Sequence, residues 1–160
     1  AVLNGVDWNT WTPSAVTVPA QNITDIAITR TGTFFISGGQ VYSWDTINSP
    51  MPLMGGADAS AIAAGTDHLV VLFNNGKVGV YGGNSSGQLG LGSTVAAQDI
   101  TLVTLEDTAD QIAVGASTTF IRLTNGKVFA AGKNTQYQLG LGDRPASIPA
   151  LFGRPELLSW

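Results

Sequence analysis

One stretch of this chain occurs twice, and that repetition limits what the chain can fold into more than any other feature. Residues 62–92 and 112–142 carry the same ordered pattern, displaced by 50 residues. The first copy runs from Ile62-Ala63-Ala64-Gly65 through His68 into the apolar run Leu69-Val70-Val71-Leu72-Phe73. Asn75-Gly76-Lys77-Val78 follows, then Tyr81-Gly82-Gly83-Asn84 and Gly87-Gln88-Leu89-Gly90-Leu91-Gly92. The second copy has Ile112-Ala113-Val114-Gly115, an apolar run to Leu123, Asn125-Gly126-Lys127-Val128, Gly132-Lys133-Asn134 and Gln138-Leu139-Gly140-Leu141-Gly142. The pairs Gly65/Gly115, Gly76/Gly126 and Gly90/Gly140 share one displacement. A fixed period of this size marks a repeat architecture, in which stacked units bury a continuous core.

A weaker copy precedes these two. Phe34-Phe35-Ile36-Ser37 leads into Gly38-Gly39 and then Gln40-Val41-Tyr42-Ser43-Trp44, with Gly39 lying 37 residues before Gly76. Gly38-Gly39, Asn75-Gly76 and Asn125-Gly126 thus each sit between apolar runs. Such dipeptides suit two-residue type I′ hairpin loops, which need positive φ at both central positions. Leu69–Phe73 shows no polar alternation, so it reads as a strand buried on both faces. An antiparallel hairpin buried on both faces fits a β-propeller blade, a small sheet packed between similar sheets. The expected fold is therefore all-β, a partial β-propeller of about three antiparallel four-stranded blades. Repeats are expected at roughly 23–60, 61–111 and 112–160, within a segment 23–160. Residues 1–22, with Trp8, Trp11, Pro13 and Pro19, read as an N-terminal arm or edge strand.

The two spacings, 50 against 37, imply about 13 extra residues, and 93–111 is the expected place for them. That segment holds Asp99, Glu106, Asp107 and Asp110, and it reads as an exposed acidic excursion. Leu89 and Leu139, inside their glycine runs, are expected to plug the gap between neighbouring blades. Tyr137 stands where the first copy has Gly87, so this turn must either differ or hold a left-handed tyrosine. Arg122 stands where the first copy has Leu72, and is expected to pair with an acid or to meet a partner from a channel.

The ordered glycines, hairpins and Gln-Leu-Gly turns resemble the repeat of the regulator of chromosome condensation propeller family. The resemblance covers about residues 23–145. It rests on Gly65-x-x-His68, Asn75-Gly76-Lys77-Val78, Tyr81-Gly82-Gly83-Asn84-x-x-Gly87-Gln88-Leu89-Gly90-x-Gly92, and their second copies. It implies a propeller, usually of seven four-stranded blades. Three repeats do not close such a ring, so the resemblance also implies completion by a longer chain, by further copies or by another protein. It further implies a structural His68, packed between strands. The Gly-Trp-Arg-His-Thr motif of the family's ultraviolet-B photoreceptor is absent.

Composition narrows the function classes. Only 11% of residues are charged and the net charge is −4, with seven Lys and Arg residues scattered over 160 positions. Affinity for nucleic acid comes from basic residues neutralising phosphates, so no nucleic-acid partner is expected. Nor is a membrane one: no apolar run approaches the length of a span. No basic segment followed by an apolar one marks a signal peptide. There is no cysteine, and His68 is the only histidine, so neither a transition-metal site nor any other cofactor is expected. Gly87-x-x-Gly90-x-Gly92 reverses the order of a dinucleotide loop and is assigned to turns. Asn22-Ile23-Thr24 and Asn84-Ser85-Ser86 match the N-glycosylation pattern.

No catalytic residue is expected. The first reading is a non-enzymatic scaffold making protein contacts in a larger assembly, by self-association or with another chain. Low charge and Gly/Thr/Asn richness suit a virion or extracellular component. Partner contact is assigned to Trp8, Trp11, Asp99, Glu106, Asp107, Asp110, Arg122 and Trp160. Two alternatives stand beside it: a regulatory module acting on a GTPase or an enzyme, and a glycan-binding module. The last would need acidic, basic and aromatic side chains converging in one cleft.

Overall fold

The computed structural model describes residues 22–45 and 48–140. Trp8, Trp11 and Trp160 lie outside the described residues, as does the expected N-terminal arm except for Asn22. The described chain is all-β. Its strands are β1 Ile23–Ile28, β2 Thr33–Ser37, β3 Gln40–Trp44, β4 Met51–Pro52, β5 Ala59–Ala64, β6 His68–Phe73, β7 Val78–Gly82, β8 Ala97–Leu102, β9 Ala109–Gly115, β10 Thr118–Leu123 and β11 Val128–Gly132. They form three antiparallel sheets in sequence order: β1-β2-β3-β4, β5-β6-β7-β8 and β9-β10-β11. The first two are four-stranded blades, and the third has three strands among the described residues.

Burial follows from the two-faced strands. In β6, Leu69, Val71 and Phe73 face the first sheet and, with Ile62 of β5, join its Phe34, Ile36 and Val41. Val70, between them, faces the other way, with Val78, Val80, Leu89, Ile121 and Leu123. The middle sheet therefore belongs to two cores at once. Hydrogen bonds join neighbouring blades at both ends. Ala59 N donates to Gly39 O and Ala109 N to Gly76 O, each at 2.8 Å. At the opposite end Arg30 N donates to Thr66 O (2.7 Å) and Thr66 N to Ala116 O (2.9 Å). Each blade thus contacts the next through the same equivalent atoms.

The hairpins differ from expectation. Gly38 and Gly39 both have positive φ, and Ser37 pairs with Gln40, as a two-residue I′ loop requires. At the two Asn-Gly sites only the glycine has positive φ. Gly76 N donates to Phe73 O and Phe73 N to Lys77 O; Gly126 and Leu123 do the same with Leu123 and Lys127. These are three-residue loops, a turn closed by a left-handed glycine. The cause lies in the asparagine side chains. Asn75 Oδ1 accepts from Lys77 N and Asn125 Oδ1 from Lys127 N, both at 3.0 Å. This bond suits a right-handed asparagine ahead of the glycine.

The extra length of the second repeat is also placed differently. The β3–β4 connection spans residues 45–50, whereas the β7–β8 connection spans 83–96, and β8 outgrows β4. Residues 97–102 form the outer strand β8 rather than an acidic loop. The insertion is the glycine-rich turn itself, because that turn must cross from one blade to plug against the next.

Tyr137 is left-handed, with φ 56°, and its side chain is exposed. Its first-copy equivalent Gly87 has φ 73°. An L side chain in this region costs about 1 kcal/mol. Tyr137→Gly is expected to raise stability by about that amount, read as a higher urea midpoint at unchanged slope. Gly87→Ala is expected to lower it.

Candidate functional site

The glycine-rich turn explains its own sequence. Asn84 O accepts from Gly87 N and Gly87 O from Gly90 N, giving two successive tight turns. Asn84 is buried inside them: Oδ1 accepts from Leu89 N, and Nδ2 donates to Ser93 O and Val95 O. Both polar atoms of the amide are engaged, so this sequon asparagine is a structural residue of the turn. Gln88 Oε1 accepts from Ser86 N, and its Nε2 donates to Asp67 Oδ1 at 3.1 Å. Asn134 and Gln138 repeat the Leu139 and Gln136 bonds. Leu89 is thereby driven between the second and third sheets and is wholly buried there. Leu139 is likewise buried, against Ala130 and Phe120.

His68 is also wholly buried. Its Nε2 lies 3.0 Å from Thr119 Oγ1, and Thr119 Oγ1 donates to Gln88 O at 2.8 Å. The hydroxyl proton is thus committed to the carbonyl, so Nε2 carries the imidazole proton and Nδ1 is a bare acceptor. Nδ1 has no hydrogen-bond partner; the nearest charged atom is Asp67 Oδ1, 3.9 Å away. Burial pushes the imidazole pKa below its ordinary value, and Asp67 opposes that only in part. The neutral ring locks the second blade to the third. Gly65 and Gly83 leave room for this arrangement. A Cβ on Gly65 would lie 2.3 Å from the imidazole, and one on Gly83 2.3 Å from the Asp67 carboxylate.

Between the first and second sheets there is a cavity of about 520 Å³. It lies at the end carrying the β1–β2 and β5–β6 turns. Phe34, Ser43 and Trp44 line it from the first sheet, and Asp67, His68 and Tyr81 from the second. Phe34 meets Tyr81 edge to face at 5.8 Å, and Trp44 Nε1 donates to Asn48 O at 2.9 Å. Asp45 also lines it, its carboxylate accepting from the backbone and side-chain amides of Asn48.

The acids singled out in the sequence lie elsewhere. Glu106, Asp107, Asp110 and Arg122 gather at the opposite end, near the Asn-Gly hairpins, while Asp99 stands exposed on β8. The register between β9 and β10 slips so that Asp110 is the extra residue of a bulge. Its carboxylate takes Arg122 in a bidentate pair, 2.8 Å from Nε and 3.1 Å from Nη2. The guanidinium holds the Asp110 carboxyl below its ordinary range. Lys127 Nζ pairs with Glu106, and Asp107 Oδ1 accepts from Thr108 N. Among the described residues no group of three or more acidic or histidine side chains is arranged to hold a metal. Sequence reasoning missed the cavity and its Asp67–His68 wall. The signal available was the missing Gln-Leu-Gly turn after Trp44.

Comparison with known proteins agrees with this geometry. The family described as "Regulator of chromosome condensation (RCC1) repeat" matches residues 109–138, which cover the third sheet and the turn after it. Among solved structures, Prp20p from Saccharomyces cerevisiae is 20% identical with a TM-score of 0.71, over 83% of this chain and 36% of its own. The same yeast RCC1 (Prp20) in a structure with Kap60 is 17% identical, TM-score 0.69, over 89% and 38%. Human WBSCR16 is 16% identical, TM-score 0.77, over 90% and 43%. The chain thus resembles the RCC1 repeat family, and its sheets are β-propeller blades. It spans less than half the length of each of these neighbours.

Two consequences concern stability. Leu89→Ala is expected to cost about 3 kcal/mol, as truncation of a fully buried leucine does, measured by urea denaturation. His68, with a depressed folded pKa, takes up a proton more readily unfolded than folded. Its contribution is therefore complete above the ordinary value of 6.5 and is lost as pH falls toward the folded pKa. Urea midpoints measured from pH 7.5 down to 5.5 should fall less steeply for His68→Gln than for the parent.

Proposed function

We propose that this chain is a protein-interaction module: a rigid, non-enzymatic segment of propeller that presents surface side chains to a protein partner in a larger assembly. The observation that carries this reading is how the repeat residues are used. Gly65, His68, Asn84, Gln88 and Leu89 are consumed by turns and inter-blade packing. The side chains that differ between copies, such as Arg122 and Tyr137, stand at the surface. Function on a repeat frame resides in such non-repeated surface. Asp99, Glu106, Asp107, Asp110 and Arg122 are the contact residues within the described chain, with Trp8, Trp11 and Trp160 outside it. A partner chain or a second copy would also cover blade edges. An assembly role in a virion or outside the cell rests on composition alone.

The second reading is regulation of a GTPase or an enzyme. It is favoured by the likeness to Prp20p, whose structure was described with its binding to Gsp1p and histones, and by the Kap60-bound yeast protein. Affinity capture with the whole chain, followed by light scattering, separates the readings. The scaffold reading expects mass well above 16.5 kDa, or co-sedimentation with a particle. The regulatory reading expects one stoichiometric soluble partner. A lone monomer with no retained protein would contradict both. Reversing charge in the double variant Glu106→Lys, Asp110→Lys is expected to weaken capture about tenfold or more without lowering the yield of folded protein.

A further inference from the structure

The cavity between the first two blades occupies the place that Leu89 fills between the second and third. Leu89 packs against Val70 and Val80 of its own sheet and Ile121 of the next. By strand register, Phe34 and Ser43 are the first-sheet equivalents of Val70 and Val80, for Phe34 pairs with Ser43 as Val70 does with Val80. Phe34 and Ser43 line the cavity, as does Leu69, the equivalent of Thr119. The first repeat has no Gln-Leu-Gly turn after Trp44, and among the described residues no side chain takes the place of Leu89 there. The walls also carry acceptors, and among the described residues one of them has no donor. Asp67 is fixed by Gln88, and the wholly buried His68 turns an unpartnered Nδ1 toward the Asp67 carboxylate. No Lys or Arg lines the cavity among the described residues.

We infer that this cavity receives an arginine or lysine side chain of a protein partner, its stem in the leucine's place and its cationic head at Asp67. The assignment rests on the protein-interaction reading and names the chemistry it would recognise. An aliphatic stem matches Phe34, Leu69 and Tyr81, and a cation supplies a counter-charge to the Asp67 carboxylate and a donor beside the unpartnered His68 Nδ1. A glycan fits less well. It needs an open aromatic platform, whereas Phe34 and Trp44 are buried.

The test is titration of the whole chain with Nα-acetyl-arginine amide, followed by two-dimensional NMR. Saturable shifts at Tyr81, Trp44 and His68 are expected with a dissociation constant near or below about 10 mM. Nα-acetyl-norleucine amide, which has a stem without the charge, should bind at least about tenfold more weakly. Asp67→Asn should abolish that difference, and Ser43→Leu, which fills the space as Leu89 does next door, should abolish binding while keeping the spectrum of a folded protein. Absence of saturable shifts, equal binding of both probes, or unchanged selectivity in Asp67→Asn overturns the assignment. Preferential binding of methyl glucoside overturns it in favour of a glycan site. Capture scores the underlying reading separately. A partner retained equally by the parent and Ser43→Leu leaves protein contact standing and removes the cavity as its seat. A parent that retains nothing removes the contact reading, while the probe titration still decides the chemistry of the cavity.

Discussion

The structure depends on one packing relation, the contact between successive blades. Val70 and Val71 are adjacent in sequence and completely buried, yet they belong to different cores. A sheet in this position has no solvent face, and its stability is shared with both neighbours. Burying both faces removes the need for polar alternation, which is why Leu69–Phe73 is apolar throughout. It also explains the near absence of charge from the strands. Among the described residues the Lys and Arg ion pairs, Arg122 with Asp110 and Lys127 with Glu106, stay near the hairpins, where water solvates them and they contribute little to stability.

Among the described residues, the polar side chains that enter the interior are hydrogen-bonded, with one atom excepted. Asn84 satisfies its amide within its own glycine-rich turn and the segment after it, Gln88 bonds Ser86 and Asp67, and Thr119 links His68 to the Gln88 carbonyl. The exception is Nδ1 of His68. A buried acceptor without a donor costs free energy, and this one lies on the wall of the cavity between the first and second blades. The protein holds an uncompensated acceptor and a fixed carboxylate beside the repeat that has no Gln-Leu-Gly turn.

Much of the frame was legible in the sequence because it is written in residue types with few conformational choices. Glycines at a constant spacing, an unbroken apolar strand and Gln-Leu-Gly identify blades and their plugs, and Leu89 is where that pattern puts it. Loop geometry was less legible. Asn-Gly is compatible with two hairpin types, and the choice turned on a side-chain bond from Asn75 or Asn125 that the dipeptide does not display. The acidic segment misled because spacing alone shows that residues were inserted but not where. Residues 97–102 read as loop for want of a strong apolar pattern, since an outer strand has little to bury. The cavity was invisible for a different reason: it arises from what the first repeat lacks, and from Asp67 and His68 meeting the first sheet across sequence-distant contacts.

The hairpins carry a record of how such repeats diverge. The loop after β2 has two residues, while those after β6 and β10 have three. Side chains on a strand alternate in facing, so one inserted residue would normally exchange every inward position with an outward one. Here Ile36 and Val41 are paired and share the first core, and Leu72 and Val78 are paired and share the second. The left-handed glycine absorbs the odd residue, so parity is preserved on both sides of the turn. An insertion or deletion at this point is therefore silent to the core. The lineage of a blade can change loop length one residue at a time without first passing through a sequence whose strands face the wrong way.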